Sequence, residues 1–248
     1  MKGGYCKKMK TVVAPAYRQH ADFVGQIPTL METGALEMVY NGRNQVACVQ
    51  HEGLVLMVKR FKRVNAVQQV VYTLFRKTKA ERAFLFADEL LRRGIDTPRP
   101  VAYIETTRLG LFTTGFFVSE QATGTETHLL LRDVQNYPPE LAEAVAQQVW
   151  LMHSRGVLHG DLNLSNFLCT KDEEGYRFTM IDTNRSHFTE GWPTDGQCLK
   201  NLVRLTHRRD LYEDLVRRYA RLRGWDADST ARQALLLLER FENKCFRL

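Results

Sequence analysis

Long hydrophobic runs are missing from this sequence of 248 residues. The longest, such as Leu54-Val55-Leu56-Met57-Val58, fall far short of the roughly 20 apolar residues that a membrane-spanning helix needs. Cysteine is scarce as well. Cys6, Cys48, Cys169, Cys198 and Cys245 lie far apart, their number is odd, and no C-x-x-C or other metal spacing occurs. That excludes a disulfide framework and a zinc-knuckle module, and reads as reduced thiols in a cytoplasmic protein. Internal repeats and low-complexity stretches are absent, so solenoid, collagen-like and disordered classes fall away. The basic N-terminus has no apolar h-region, so a secretory signal is not expected.

What remains is ordinary globular chemistry. Hydrophobic residues make up 44% and charged residues 25%, enough for a sizeable core in one large domain or two small lobes. The net charge of +7 is uneven: residues 1–80 carry +9, residues 81–198 carry −7 and residues 199–248 carry +5. Basic flanks favour anionic partners, and an acidic middle suits a cation site. The plain alternative is that the excess is only solvated surface.

Residues 1–28 read as an irregular extension punctuated by Pro15 and Pro28. Strand patterns then follow at 34–40, 46–50 and 54–59, joined by Asn41-Gly42-Arg43-Asn44 and His51-Glu52-Gly53. Ala80, Ala83, Phe84, Ala87, Leu90 and Leu91 make one helical stripe, which Gly94 ends. Two more strands are expected at 101–104 and 111–119. The first half, residues 29–121, is therefore predicted as a five-stranded antiparallel sheet with one helix. The second half, 122–248, is mainly helical, with helices at 141–155, 197–222 and 229–243 and short strands around a polar loop. The expected class is α+β, with two lobes and a cleft between them.

The polar loop carries the chemistry. His159-Gly160-Asp161-Leu162-Asn163-Leu164-Ser165-Asn166 has the form H-x-D-x-x-x-x-N, and Asp182 follows sixteen residues later at the end of an apolar strand. Phosphoryl transfer needs a carboxylate to orient the attacking hydroxyl, an amide oxygen and a second carboxylate for Mg2+, and a lysine for phosphate. Asp161, Asn166, Asp182 and Lys59 supply that set in the required chain order. A lone Asp or Asn in a loop is usually a turn residue; the joint spacing with Lys59 upstream is what makes a nucleotide-phosphate site the better reading. His159 and His153 read as bracing and packing residues.

These motifs resemble the protein-kinase-like superfamily, and most of all the bacterial lipopolysaccharide core kinases that act on Kdo or heptose sugars. Leu151 to Leu158, Lys79-Ala80-Glu81-Arg82 and Leu90 to Pro98 support the resemblance, which covers roughly residues 30–205. It implies a kinase-like fold, ATP and Mg2+ as cofactors, Asp161 as the catalytic aspartate, and Asn166 and Asp182 as metal ligands. Lys59 matches the phosphate-contacting lysine, with Glu81 preferred over Asp88 and Glu89 as its partner. Glu120 and Gln121 fall in the hinge whose backbone would hold adenine. The turn Asn41-Gly42-Arg43 stands where the phosphate-covering loop should be, but with one glycine, so Arg43 is an alternative phosphate contact.

Asp182-Thr183-Asn184 lacks Phe and Gly, no Ala-Pro-Glu follows, and Asn163 replaces the usual lysine. These departures favour a small-molecule or glycan acceptor over a protein. The expectation is an ATP-dependent phosphotransferase acting on a sugar hydroxyl of the lipopolysaccharide inner core. An aminoglycoside-type kinase, a Rio-type protein kinase and a non-catalytic pseudokinase are the alternatives. Arginines 208, 209, 217, 218, 221 and 223 are expected to face outward as a positive patch for an anionic glycolipid acceptor and for peripheral contact with the inner face of the membrane. No aromatic-basic stacking motif stands out, so nucleic acid is not an expected partner.

Overall fold

A computed structural model describes residues 7–62, 64–133 and 136–245. Cys6 lies outside them, as does the side chain of Cys245; Cys48, Cys169 and Cys198 carry free thiols. The chain divides into two compact units, residues 1–92 with 98–121, and residues 93–97 with 122–248.

The first unit holds β1 (Lys7–Val13), α1 (Ala21–Thr33), β2 (Glu37–Asn41), β3 (Gln45–His51), β4 (Leu54–Arg60), α2 (Ala66–Leu74), α3 (Lys79–Arg92), β5 (Pro100–Arg108) and β6 (Leu111–Glu120). The sheet order is β1-β5-β6-β4-β3-β2, and every pairing is antiparallel. The sheet has six strands, not five. The extra one is β1, in the segment expected to be irregular, which pairs with β5 from Lys7↔Arg108 to Val13↔Ala102. Helices α1 and α2 are also additional to the one helix expected. Pro28 sits inside α1 and is buried there, with Val24, Ile27 and Met31. That face packs on Ala47, Leu56, Val58, Val101, Ala102, Ile104, Phe116 and Val118 of the sheet, so α1 contributes to the first unit's core and β1 extends its sheet.

Thr78 starts α3 by accepting the Glu81 N–H at 3.1 Å, as an N-cap does. Its hydroxyl donates at 2.6 Å to Glu105, a buried carboxylate on β5. The turn after β2 does not place Gly42 at positive φ, the conformation that an Asn-Gly pair favours. A Cβ at Gly42 would meet the hydroxyl end of Tyr40, an exposed side chain that can turn away.

The second unit comprises β7 (Thr125–Glu126), α4 (Thr127–Leu130), α5 (Pro139–Ser154), β8 (Val157–Leu158), β9 (Phe167–Asp172), β10 (Gly175–Met180), β11 (His187–Phe188), α6 (Asp195–Leu202), α7 (Arg209–Arg223) and α8 (Ala227–Cys245). Two small antiparallel sheets, β10-β9-β7 and β11-β8, frame the loop 159–166. Leu141, Val145, Val149 and Met152 of α5 and Leu211, Tyr212, Leu215 and Tyr219 of α7 are all buried. The single helix expected over 197–222 is two helices. The chain breaks at 203–208, where Leu205 is buried and its carbonyl accepts the Leu164 N–H at 3.1 Å. No helix among the described residues is long and apolar enough to cross a membrane.

Candidate active site

The loop between β8 and β9 is fixed by its own polar groups. His159 is fully buried. Its Nδ1 accepts the Asp161 N–H at 3.1 Å, and its Nε2 lies 3.0 Å from the Ile181 carbonyl. The first bond makes Nδ1 the acceptor, so the proton sits on Nε2 and donates to Ile181. Burial lowers the pKa of His159, which keeps it neutral in that tautomer. The imidazole thus ties the peptide before Asp161 to the residue before Asp182. It is a brace, as expected, not a base.

Asn166 secures the other end. Its Nδ2 donates to the Asp161 carbonyl at 2.8 Å, while the Ile181 N–H donates to the Asn166 carbonyl at 2.9 Å. The nitrogen end of the amide is committed to the loop, which leaves the oxygen as the end that can ligate a cation. Asp182 adopts φ 55 and ψ 44, the left-handed region. Such a conformation in a residue other than glycine is a cost that sites of function often carry. Asn184, buried beside it, donates to Oδ1 of Asp182 at 2.8 Å. Asp161 and Asn166 are thereby bonded directly, and both are tied to Asp182 through the backbone of its neighbour Ile181. An amide oxygen and carboxylates are hard donors of the kind that Mg2+ takes.

A second layer supports the loop from below. Asn201 Nδ2 donates to the His159 carbonyl at 2.7 Å, and Asn201 Oδ1 lies 3.1 Å from His153 Nε2. His153 Nδ1 is 2.7 Å from the Tyr219 hydroxyl, which also accepts from Arg223 at 3.2 Å. Burial holds the His153 pKa down to about 4, so this relay is neutral up to the Arg223 guanidinium. Trp192 and Trp225 flank that guanidinium, with ring centroids 4.1 and 4.3 Å away.

The other predicted residues lie in the first unit. Lys59 is half-buried on β4, between Val46 of β3 and Phe117 of β6 in register, with Nζ 5.7 Å from the Phe61 ring centroid. Glu81 occupies the first turn of α3, and its charge acts on Lys10 of β1. Asn41, Gly42 and Arg43 form the β2–β3 turn. Asn41 accepts from Gln45 at 3.0 Å, and Asn44 accepts the Lys62 N–H at 3.1 Å. The hollow beside this turn, about 310 Å³, is lined by Gly42, Arg43, Arg60 and Lys62 among others. The hinge amides are already engaged: Glu120 N–H bonds Arg99 and Gln121 N–H bonds Val55. The expected adenine contact therefore cannot use either of these two N–H groups without breaking a bond inside the first unit. The Glu120 carboxylate accepts from Tyr17 at 2.6 Å, and burial together with that bond pushes the Tyr17 pKa up to about 12.

Of the six arginines expected to form an outward patch, Arg221 is exposed and the other five are paired with acids. Arg208 bonds Asp210, Arg209 bonds Glu242, Arg217 bonds Glu213 and Asp228, Arg218 bonds Asp214 and Glu143, and Arg223 bonds Asp195. Counting charge along the sequence gave a surplus, but the fold brings an acid to each of these five. The residues that sequence reading passed over are Asn184, Asn201, Arg185 and Arg204. Only Gly160 hinted at one of them: a Cβ there would overlap the Arg185 backbone.

Comparison with known proteins accounts for this arrangement. A 3-deoxy-D-manno-octulosonic acid kinase of Vibrio vulnificus (strain YJ016) is 26% identical over 182 residues, which is 71% of this chain and 73% of that one. An enzyme of the same description from Haemophilus influenzae (strain PittEE) is 23% identical over 135 residues, covering 54% and 55% of the two chains. Among solved structures, "WaaP in complex with acyl carrier protein" superposes with a TM-score of 0.61 at 21% identity, over 96% of this chain and 98% of that chain. That likeness shows the fold to be of the protein-kinase-like type. The family model described as "Lipopolysaccharide kinase (Kdo/WaaP) family" matches residues 33–222. The chain therefore belongs to the lipopolysaccharide kinase (Kdo/WaaP) family, a group of phosphotransferases with an alcohol acceptor.

Proposed function

We propose that this protein transfers the γ-phosphate of ATP to a hydroxyl of 3-deoxy-D-manno-octulosonic acid (Kdo), in preference to heptose, in the lipopolysaccharide inner core. The observation that carries the reading is the bonded constellation Asp161–Asn166–Ile181–Asp182, held by buried His159. The names of the relatives support Kdo as the sugar.

In this reading the Asp161 carboxylate accepts a hydrogen bond from the acceptor hydroxyl and takes its proton as the oxygen bonds to the γ-phosphorus. The bond from that phosphorus to the β–γ bridging oxygen breaks, ADP leaves, and the proton passes to solvent. Asn166 Oδ1 and the Asp182 carboxylate are the ligands for Mg2+, which when bound offsets charge on the phosphates. Lys59 is the phosphate contact of the first unit, with Glu81 as its partner, and Arg43 reaches phosphate from the β2–β3 turn. Work at the inner face of the cytoplasmic membrane follows from a glycolipid acceptor. Four of the α7 arginines pair with acids while Arg221 is exposed, which weakens, without removing, the pull of that face on an anionic membrane.

The test is phosphate transfer from labelled ATP across a panel of Kdo-terminated core, heptose-containing core, aminoglycosides and protein. Transfer confined to the Kdo acceptor and dependent on Mg2+ is expected. Preferential transfer to heptose would move the acceptor within the family, and turnover on aminoglycoside or protein alone would contradict the reading.

A further inference from the structure

Two arginines flank the carboxylate of Asp161. Arg185 Nη1 lies 3.7 Å from Oδ2 and Arg204 Nη1 lies 3.6 Å from Oδ1. Both separations are longer than the 2.7–2.9 Å or so of a direct charge-assisted bond. The other arginine pairs of this unit are closer; Arg218, for example, meets both Asp214 and Glu143 at 3.0 Å. The side chains of Arg185 and Arg204 are 54% and 40% exposed, and Asp161 between them is 34% exposed. Exposed, loosely spaced ion pairs contribute little to stability, so stability does not account for their placement.

The fold nevertheless fixes both arginines at their base. Arg185 lies in the segment 183–186, whose Thr183, Asn184 and Ser186 are buried. Its backbone rests on Gly160 in space that any side chain there would fill. Arg204 precedes Leu205, whose carbonyl accepts the Leu164 N–H of the same loop, and its guanidinium stands 4.9 Å from the Phe241 ring centroid on α8. Two separate segments, each seated on the loop 159–166, thus bring a planar donor fork to either side of one carboxylate. Such forks suit carboxylate and phosphate oxygens, which they can bind bidentately.

We infer that Arg185 and Arg204 form an anion subsite for the acceptor, holding a carboxylate or phosphate group next to the hydroxyl that Asp161 engages. This rests on the proposed function and deepens it, because it makes acidity of the sugar a condition for productive binding. The acceptor's anion replaces Asp161 as the nearer partner of the guanidiniums, leaving that carboxylate to the hydroxyl.

The experiment measures acceptor KM, ATP KM and kcat for the full chain and for Arg185→Gln, Arg204→Gln and the two Lys variants. The acceptors are a Kdo glycoside with its free carboxylate, the carboxyl methyl ester, and a phosphatase-treated core. Loss of a charge-assisted bond is worth about 10-fold or more in binding, so each Gln variant should raise acceptor KM about that much with ATP KM unchanged. Each Lys variant should recover part of the loss. The ester should already bind poorly and be insensitive to the Gln changes if carboxylate is the anion read. The phosphatase-treated core should behave so if phosphate is. Equal sensitivity on all acceptors, or a fall in kcat at constant acceptor KM, would overturn the subsite and leave the arginines as positioning residues for Asp161. If the wild type transfers phosphate to none of these acceptors, the proposed function fails. Calorimetric binding of the free Kdo glycoside then decides the subsite alone, and equal affinity of wild type and Gln variants, or none, rejects it.

Discussion

The side-chain nitrogen of Asn166 donates to the backbone carbonyl of Asp161 at 2.8 Å, so the residue proposed to ligate metal also shapes the loop that carries the proposed base. Asn166→Asp replaces that donor with a carboxylate facing a carbonyl. It should lower stability by about 1 kcal/mol, the net worth of a lost part-buried hydrogen bond, as well as disturb cation binding. Asp182→Asn behaves differently. Asn tolerates the left-handed region as Asp does, so thermal stability should stay within about 0.5 kcal/mol of wild type. Mg2+-dependent nucleotide binding should nonetheless weaken. Denaturant melts and calorimetric ATP titrations with and without Mg2+ separate the two outcomes; unchanged Mg2+ dependence in Asp182→Asn would remove that residue from the metal site.

Gly160→Ala should be costly although it adds one methyl. The new Cβ meets the carbonyl, the carbonyl carbon and the Cβ of Arg185, none of which is the free end of a side chain. Overpacking of this kind costs about 1–3 kcal/mol, and it displaces Arg185 from Asp161. The variant should show a lowered melting midpoint and a fall in acceptor kcat/KM larger than that of Arg185→Gln alone. Wild-type stability in Gly160→Ala would mean that the segment 183–186 can shift freely.

His153 gives the fold an acid-sensitive point. In the unfolded chain it titrates near the ordinary 6.5, whereas burial holds it near 4 in the folded protein. Between those values the unfolded chain binds the extra proton, so the contribution is complete above pH 6.5 and is lost as pH falls toward 4. His159 is shifted in the same direction by the same cause. Around His153 stand Tyr219, Asn201 and, as the nearby cation, Arg223. Melting midpoints from pH 7 to pH 4.5 should fall for wild type, and the fall should be shallower for His153→Gln. Parallel curves would place the acid sensitivity elsewhere.

Where the sequence was legible, one face of an element was buried. Ala80, Ala83, Ala87 and Leu90 are buried on α3, and the β3–β4 register puts Ala47, Leu56 and Val58 in the core. Strand β1 was hidden because, among its described side chains, none is fully buried: an edge strand of Lys8, Met9 and Lys10 has no two-residue alternation of burial to read. Helix α1 was hidden by Pro28, normally a breaker, which here sits within the helix and is buried. The loop spacing of Asp161, Asn166 and Asp182 was legible because those residues are near neighbours along the chain. Asn201, Arg204 and the acids that pair with four of the α7 arginines were not. Their roles depend on contacts between distant segments, such as Arg218 with Glu143 and Asn201 with the His159 carbonyl.

The most direct measurement is steady-state transfer of phosphate from ATP to a Kdo-terminated acceptor by wild type and by Asp161→Asn, with calorimetric ATP binding measured on the same preparations. The substitution keeps size and removes the proton acceptor, so turnover should fall by about 10²–10⁴-fold, the usual worth of general-base help, with ATP affinity in the presence of Mg2+ near that of wild type. An Asp161→Asn protein that turns over its acceptor at the wild-type rate would contradict the assignment of Asp161 and the kinase mechanism built around it.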